Sequence, residues 1–146
     1  MYKKKQIGWP IIWCTFPAIA VLIGVALFAV PKDQQAIFLI APGLLLIVLL
    51  LFRDMTVSVD DEAISIKYGT GLVKKNISLN DIADCKKVRN KWWMGWGIRV
   101  GPGFTLYNIS GLDAVELTIK DKKRKIRIGT EEPDELCAAI TSRLKN

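Results

Sequence analysis

Histidine is absent from the 146 residues, so chemistry that needs an imidazole, whether catalytic or metal-binding, is excluded. Cysteine is scarce and odd in number. Cys14, Cys85 and Cys137 stand far apart with no C-x-x-C spacing, which argues against a disulfide framework or a zinc site. Cys14 falls in an apolar segment, while Cys85 and Cys137 read as small core residues of a reduced compartment. Charge is missing over one long stretch: between Trp9 and Phe52 only Lys32 and Asp33 ionise. Disorder is excluded by a hydrophobic content of 51%, and a large multidomain enzyme by the length. Asp60, Asp61 and Glu62 fall in a turn, and Glu131, Glu132, Asp134 and Glu135 at a helix start. None is buried by pattern, no nucleophile has a base to activate it, and no cofactor motif is present, so the chain is expected not to be an enzyme.

What is there divides in two. The net charge of +7 gathers outside an apolar first third, as in a membrane anchor (1–53) carrying a polar domain (54–146). The first apolar run, about 10–30, is bracketed by Pro10 and Pro31 and contains Pro17. At 1.5 Å per residue it spans roughly 31 Å, the thickness of a bilayer core. Trp9 and Trp13 fall where indoles favour the headgroup level. The polar turn Pro31-Lys32-Asp33-Gln34-Gln35 leads to a second run, 36–52, of roughly 25 Å and apolar on every side. So short a turn returns the helices antiparallel. A signal peptide has a shorter apolar core, a small-x-small cleavage site and no second span behind it. Lys3, Lys4 and Lys5 before the hairpin, and Arg53, Lys67, Lys74 and Lys75 after it, place both termini in the cytoplasm by the positive-inside rule. The expected location is the inner membrane, multi-pass.

From Met55 the period becomes two. Met55, Val57 and Val59 alternate with polar residues, as do Ile64 and Ile66, Ile77 and Leu79, and Val115, Leu117 and Ile119. Further strands are expected over Ile82–Val88, Phe104–Ile109 and Lys123–Ile128, the last entered by a tight turn at Asp121-Lys122 with Lys125 and Arg127 outward. Seven strands in all point to a sandwich or barrel. Leu136, Ile140 and Leu144 then repeat every four residues, predicting a closing helix. Thr130 or Glu132 is its expected cap, with Arg143 and Lys145 suiting its end.

Val57-Ser58-Val59, Trp96 to Arg99, Leu106 to Gly111, Ala114-Val115-Glu116-Leu117 and Arg127-Ile128-Gly129-Thr130 resemble the short bacterial pleckstrin-homology-like (PH-like) proteins. The resemblance spans Arg53 to Leu144 and is most specific from Trp96 to Gly111. It implies a two-helix transmembrane hairpin followed by an α+β or all-β PH-like barrel of about seven antiparallel strands, capped by a helix and used for binding. Phosphoinositide-binding PH domains place basic residues at the first hairpin. Here that turn is the acidic Asp60-Asp61-Glu62, which speaks against binding by that route.

Two patches are candidate contacts. Lys120, Lys122, Lys123, Arg124, Lys125 and Arg127 form the densest charge. Such residues attract anionic headgroups at about 1 kcal/mol each near the surface, or simply solvate a sheet edge and keep it from pairing. Nucleic acid is not expected, since no aromatics interleave them. Lys86, Lys87, Arg89 and Lys91 adjoin Trp92 and Trp93, a combination suited either to headgroup contact or to core tryptophans with solvated lysines. Trp96, between glycines, is expected inside, and Trp92 and Trp93 on opposite faces of an extended chain. Gly97–Gly103 lacks phosphate-loop spacing and reads as a turn. The expected role is a membrane-anchored, non-enzymatic module that recruits a protein partner or contacts the inner-leaflet surface. A structural subunit self-assembling through its hairpin is the alternative, with Gly24 and Ala26, or Pro42 and Gly43, lining the contact.

Overall fold

The computed structural model describes residues 1–144, and Lys145 lies outside them. It opens with a strand, β1 (Tyr2–Ile7), which the basic start of the sequence conceals. Gly8 then gives way to α1 (Trp9–Phe28), whose early proline sits where no intrahelical donor is needed. A short α2 (Gln35–Phe38) and α3 (Ile40–Phe52) form the return helix. Their break at Leu39 has a local cause. Pro42 cannot donate to the carbonyl of Phe38, and its ring crowds that carbonyl.

The two apolar segments are long and apolar enough to cross a membrane, and only 6% of each is buried. A core helix would be mostly covered. Here Trp13, Phe16, Phe28 and Ile37 lie open, and the helices pack on one another around Ala26 and Pro42.

Among the described residues eight strands and a helix lie beyond, and β1 makes nine strands. The first sheet has order β1-β2-β3-β4, with β2 (Asp54–Val59), β3 (Ala63–Tyr68) and β4 (Val73–Ser78), all antiparallel. The second has order β5-β8-β9-β7-β6, with β5 (Ile82–Arg89), β6 (Gly97–Gly101), β7 (Phe104–Asn108), β8 (Asp113–Ile119) and β9 (Lys125–Gly129). Two expectations are corrected. Strands number nine among the described residues rather than seven: β1 carries little apolar alternation, and β6 sits in an aromatic, glycine-rich stretch. They are not all antiparallel either, since β7 runs parallel to β9. The first sheet ends on β1 and β4 and the second on β5 and β6, so they do not close into a barrel. The tight turn expected at Asp121-Lys122 is a longer loop, Leu117 pairing with Ile126 across it.

The core lies between the sheets. Met55, Val57, Val59, Ile64, Ile66 and Tyr68 meet Val115, Leu117, Ile119 and Ile128, all buried because alternate residues share a face. The last helix, α4 (Pro133–Leu144), lays Leu136 and Ile140 on this core and packs against β5 and β8. The Thr130 hydroxyl accepts from the Glu132 amide at 3.1 Å as α4 begins.

Register gives the domain two distinguishable ends. Ile7 pairs with Asp54, Met55 with Tyr68, Arg89 with Asp113, Ala114 with Gly129 and Gly97 with Asn108. Gln6 reaches the Gly129 carbonyl and Tyr68 the Asn108 carbonyl, so these ends of the two sheets meet where the helices attach. Ile82, Ile119, Lys125 and Gly101 mark the opposite end of the second sheet. A seven-residue strand such as β8 separates them by about 20 Å.

Candidate functional site

The helix-bearing end is held by backbone. The Gly8 amide donates to the Arg53 carbonyl at 2.7 Å, and the Gly69 amide to the Asp54 carbonyl at 2.8 Å. Phe52 meets Tyr68 with ring centroids 5.3 Å apart. The buried Asp54 carboxylate takes Arg53 at 3.1 Å and Lys5 at 3.3 Å. A Cβ on Gly8 would stand 2.9 Å from Ile109, so the second sheet also touches the point where α1 departs.

At this same end, β5 hands over to the aromatic segment. The Asn90 amide donates to the Leu112 carbonyl at 2.7 Å, fixing the chain beside the start of β8. A 3-10 turn over Trp92–Met94 then takes the place of the extended chain expected there. It closes on Gly95, whose φ of +68° suits glycine. The turn throws both indoles outward. Trp92 is 74% exposed and Trp93 61%, edge to face with centroids 6.0 Å apart. Lys91 Nζ stands 4.8 Å above the Trp93 ring. Trp96, expected inside, is 39% exposed. Gly95 and Gly97 on either side of it both take positive φ, +68° and +95°. Of the neighbouring cations, Lys86 pairs with Asp84 at 3.3 Å and Lys87 with Asp134, while Arg89 and Lys91 form no ion pair among the described residues.

The basic hairpin lies at the other end and is not one uniform patch. Lys125 and Arg127 converge on Glu116 at 2.6 and 2.8 Å. The outward direction expected for Arg127 is thereby corrected: it is half-buried, 4.1 Å over the Phe104 ring. Glu116, read as a polar outward residue, is buried. Burial pushes its carboxyl up, but hydrogen bonds from Lys125 and Arg127 outweigh that and hold it below the ordinary glutamate value. Arg124 donates to the Gly101 carbonyl at 3.2 Å. Lys120, Lys122 and Lys123 have no ion-pair partner among the described residues. A cleft of about 320 Å³ opens beside them, where Lys75, Asn76 and Ile77 of β4 face Tyr107, Ile119 and Ile126, with Lys122 and Arg124 at its rim.

Sequence spacing also hid two pairings. Lys4 reaches Glu132 at the start of α4. Cys85 and Cys137, distant in sequence, bring their sulfurs 2.9 Å apart in a half-buried site, where burial first and the neighbouring thiol second push the Cys85 thiol up. The Glu116 cluster had a readable signal, since an acidic residue in β8 facing a basic one in the next strand is a standard cross-strand pair. Of the small residues in the apolar helices, Ala26 and Pro42 are spent inside the hairpin, whereas Gly24 and Gly43 face open space. Compared with the models of known families and with curated proteins, the chain matches none.

Proposed function

We propose that this protein is a membrane-anchored, non-enzymatic binding module of the PH-like kind, multi-pass in a bacterial inner membrane with both termini cytoplasmic. Its β-domain stands on the leaflet and recruits a protein partner through the end that faces away. The observation that carries this reading is the pairing of β1 with β2, six residues against six, on either side of the apolar hairpin. Strands that share a ladder must lie on one side of a bilayer, so the hairpin goes out and comes back. Lysines before it and basic residues after it then favour the cytoplasm for the domain. Two sheets closed by a C-terminal helix support the PH-like reading, and unpaired Lys120, Lys122 and Lys123 at the far end support an acidic partner.

The test is affinity capture of the full chain from detergent-solubilised membranes, beside Lys122→Glu with Lys123→Glu. A protein held by the native chain and released by the variant is the expected result. Equal capture by both refutes the far-end contact, and a chain recovered in the supernatant of alkali-washed membranes refutes the anchor. Cysteines introduced at Lys32 and at Lys122 should react with impermeant reagents from opposite sides.

A further inference from the structure

We infer that the loop from Arg89 to Trp96 is a second, shallow membrane contact: Trp92 and Trp93 enter the headgroup layer of the anionic leaflet that holds the hairpin, and Arg89 and Lys91 meet its phosphates. This rests on the membrane reading above and deepens it by naming which of the two basic patches touches lipid. The choice follows from register. Arg89 pairs with Asp113, and Gly97 with Asn108, which places both ends of the loop at the end of the domain where Gly8 and Arg53 join the helices. The hairpin's unpaired cations, Lys120, Lys122 and Lys123, lie about 20 Å further out along the strands. That exceeds the roughly 8 Å Debye length at physiological salt, so their charge is screened from the leaflet.

The loop also has the form that the interface requires. An indole presents a large apolar face together with an N–H donor, which is why tryptophan collects where hydrocarbon meets headgroups. Two of them stand exposed side by side on a one-turn helix, pinned by the Asn90 amide at one end and by Gly95 and Gly97, both with positive φ, at the other. The two cations flanking the indoles have no carboxylate partner among the described residues. Lys86 and Lys87, one strand-turn earlier, are already paired with Asp84 and Asp134. The free charge of β5 is therefore concentrated at the lipid-facing end. Trp9 at the start of α1, 55% exposed, supplies a third indole at the same level.

The experiment uses the full chain reconstituted in vesicles of phosphatidylglycerol and phosphatidylcholine carrying a headgroup nitroxide. In Trp9→Phe with Trp13→Phe, the only indoles left are those of the loop. In Trp92→Phe with Trp93→Phe and Trp96→Phe, only those of α1 remain. Quenching of both sets is expected. Arg89→Ala with Lys91→Ala, in the first background, lowers loop quenching, each cation being worth roughly fivefold in the contact equilibrium. High salt lowers it too, and Lys122→Ala with Lys123→Ala leaves it unchanged. If the α1 indoles are quenched and the loop indoles emit as in water, the contact is wrong while the anchor stands. If neither set is quenched, the membrane reading itself fails. Loop quenching that is indifferent to Arg89, Lys91 and salt overturns the anionic specificity.

Discussion

Replacing Gly69 by alanine should loosen the seat between the apolar hairpin and the sheets. Gly69 follows β3 with φ of +45°, and a Cβ there would stand 2.4 Å from the Leu50 carbonyl oxygen and 2.5 Å from that of Leu51. Both obstacles are backbone at the end of α3, so no flexible side chain can swing away. The left-handed conformation costs a non-glycine residue about 1 kcal/mol. Forcing a methyl into filled space adds about 1–3 kcal/mol. Gly71, two residues on, is a built-in control: its φ is +84°, yet nothing lies within 4 Å of the added atom. Gly71→Ala should therefore cost only the first part. Thermal unfolding in mild detergent, followed by near-ultraviolet circular dichroism, would show Gly69→Ala melting well below Gly71→Ala. At roughly 4–8 °C per kcal/mol for a domain of this size, the gap is about 5–20 °C. Equal melting of the two variants would mean that the turn does not rest on the helix end.

Three further outcomes follow from the packing. Because the Glu116 carboxyl is held below its ordinary value, the stability it contributes is present above the unfolded glutamate pKa of about 4.3 and drains away as pH falls through the folded value. Glu116→Gln should lose about 1–2 kcal/mol at pH 7, with Lys125 half-exposed, and should flatten the dependence below pH 5, read by acid titration of the melt. Asn108 accepts from the Ile109 amide at 2.9 Å and donates to the Gly111 carbonyl at 3.2 Å in a buried turn, so Asn108→Ala should cost about 1–3 kcal/mol in denaturant unfolding. Ile140→Ala, which empties a fully buried position between α4 and the sheets, should cost about 2–5 kcal/mol in the same assay.

The parts legible in the sequence are those whose signal is local. Uninterrupted apolar runs announce both helices, and strict alternation announces β2, β3 and β8, because each residue there needs only its own strand to reveal its face. β1 stayed hidden since its inward residues are Tyr2, Lys4 and Gln6. Burial of the last two depends on Glu132 and on the Gly129 carbonyl, more than 120 positions away. β6 was missed for the opposite reason: Ile98 and Val100 alternate but stay exposed at a free edge. Both candidate patches were readable as compositions. Which of them lies beside the helices was not, because that depends on strand order and direction, and the parallel pairing of β7 with β9 has no local signature.

The position of β1 has a consequence for how the domain forms. Neighbours in a ladder, β1 and β2 are separated by residues 8–53, and in a free chain closing such a loop costs more than a tight turn by about 2 kcal/mol. Two antiparallel helices remove that cost, since packed helices hold their ends about 8–10 Å apart. Packing of the helical hairpin therefore delivers β1 to β2 already in register, and the sheets complete themselves on the two helices. Gly8 and Arg53 already face one another through a 2.7 Å backbone bond, the geometry that a two-residue Asn-Gly turn bridges. Replacing residues 9–52 by such a turn should yield a water-soluble domain with β1 in place, its Lys4 and Gln6 amides protected from hydrogen exchange. A flexible linker of the original length should give the same fold, less stable by about 2 kcal/mol. Rapid exchange at Lys4 and Gln6 in the short-turn variant would show that β1 holds its place only with the helices present.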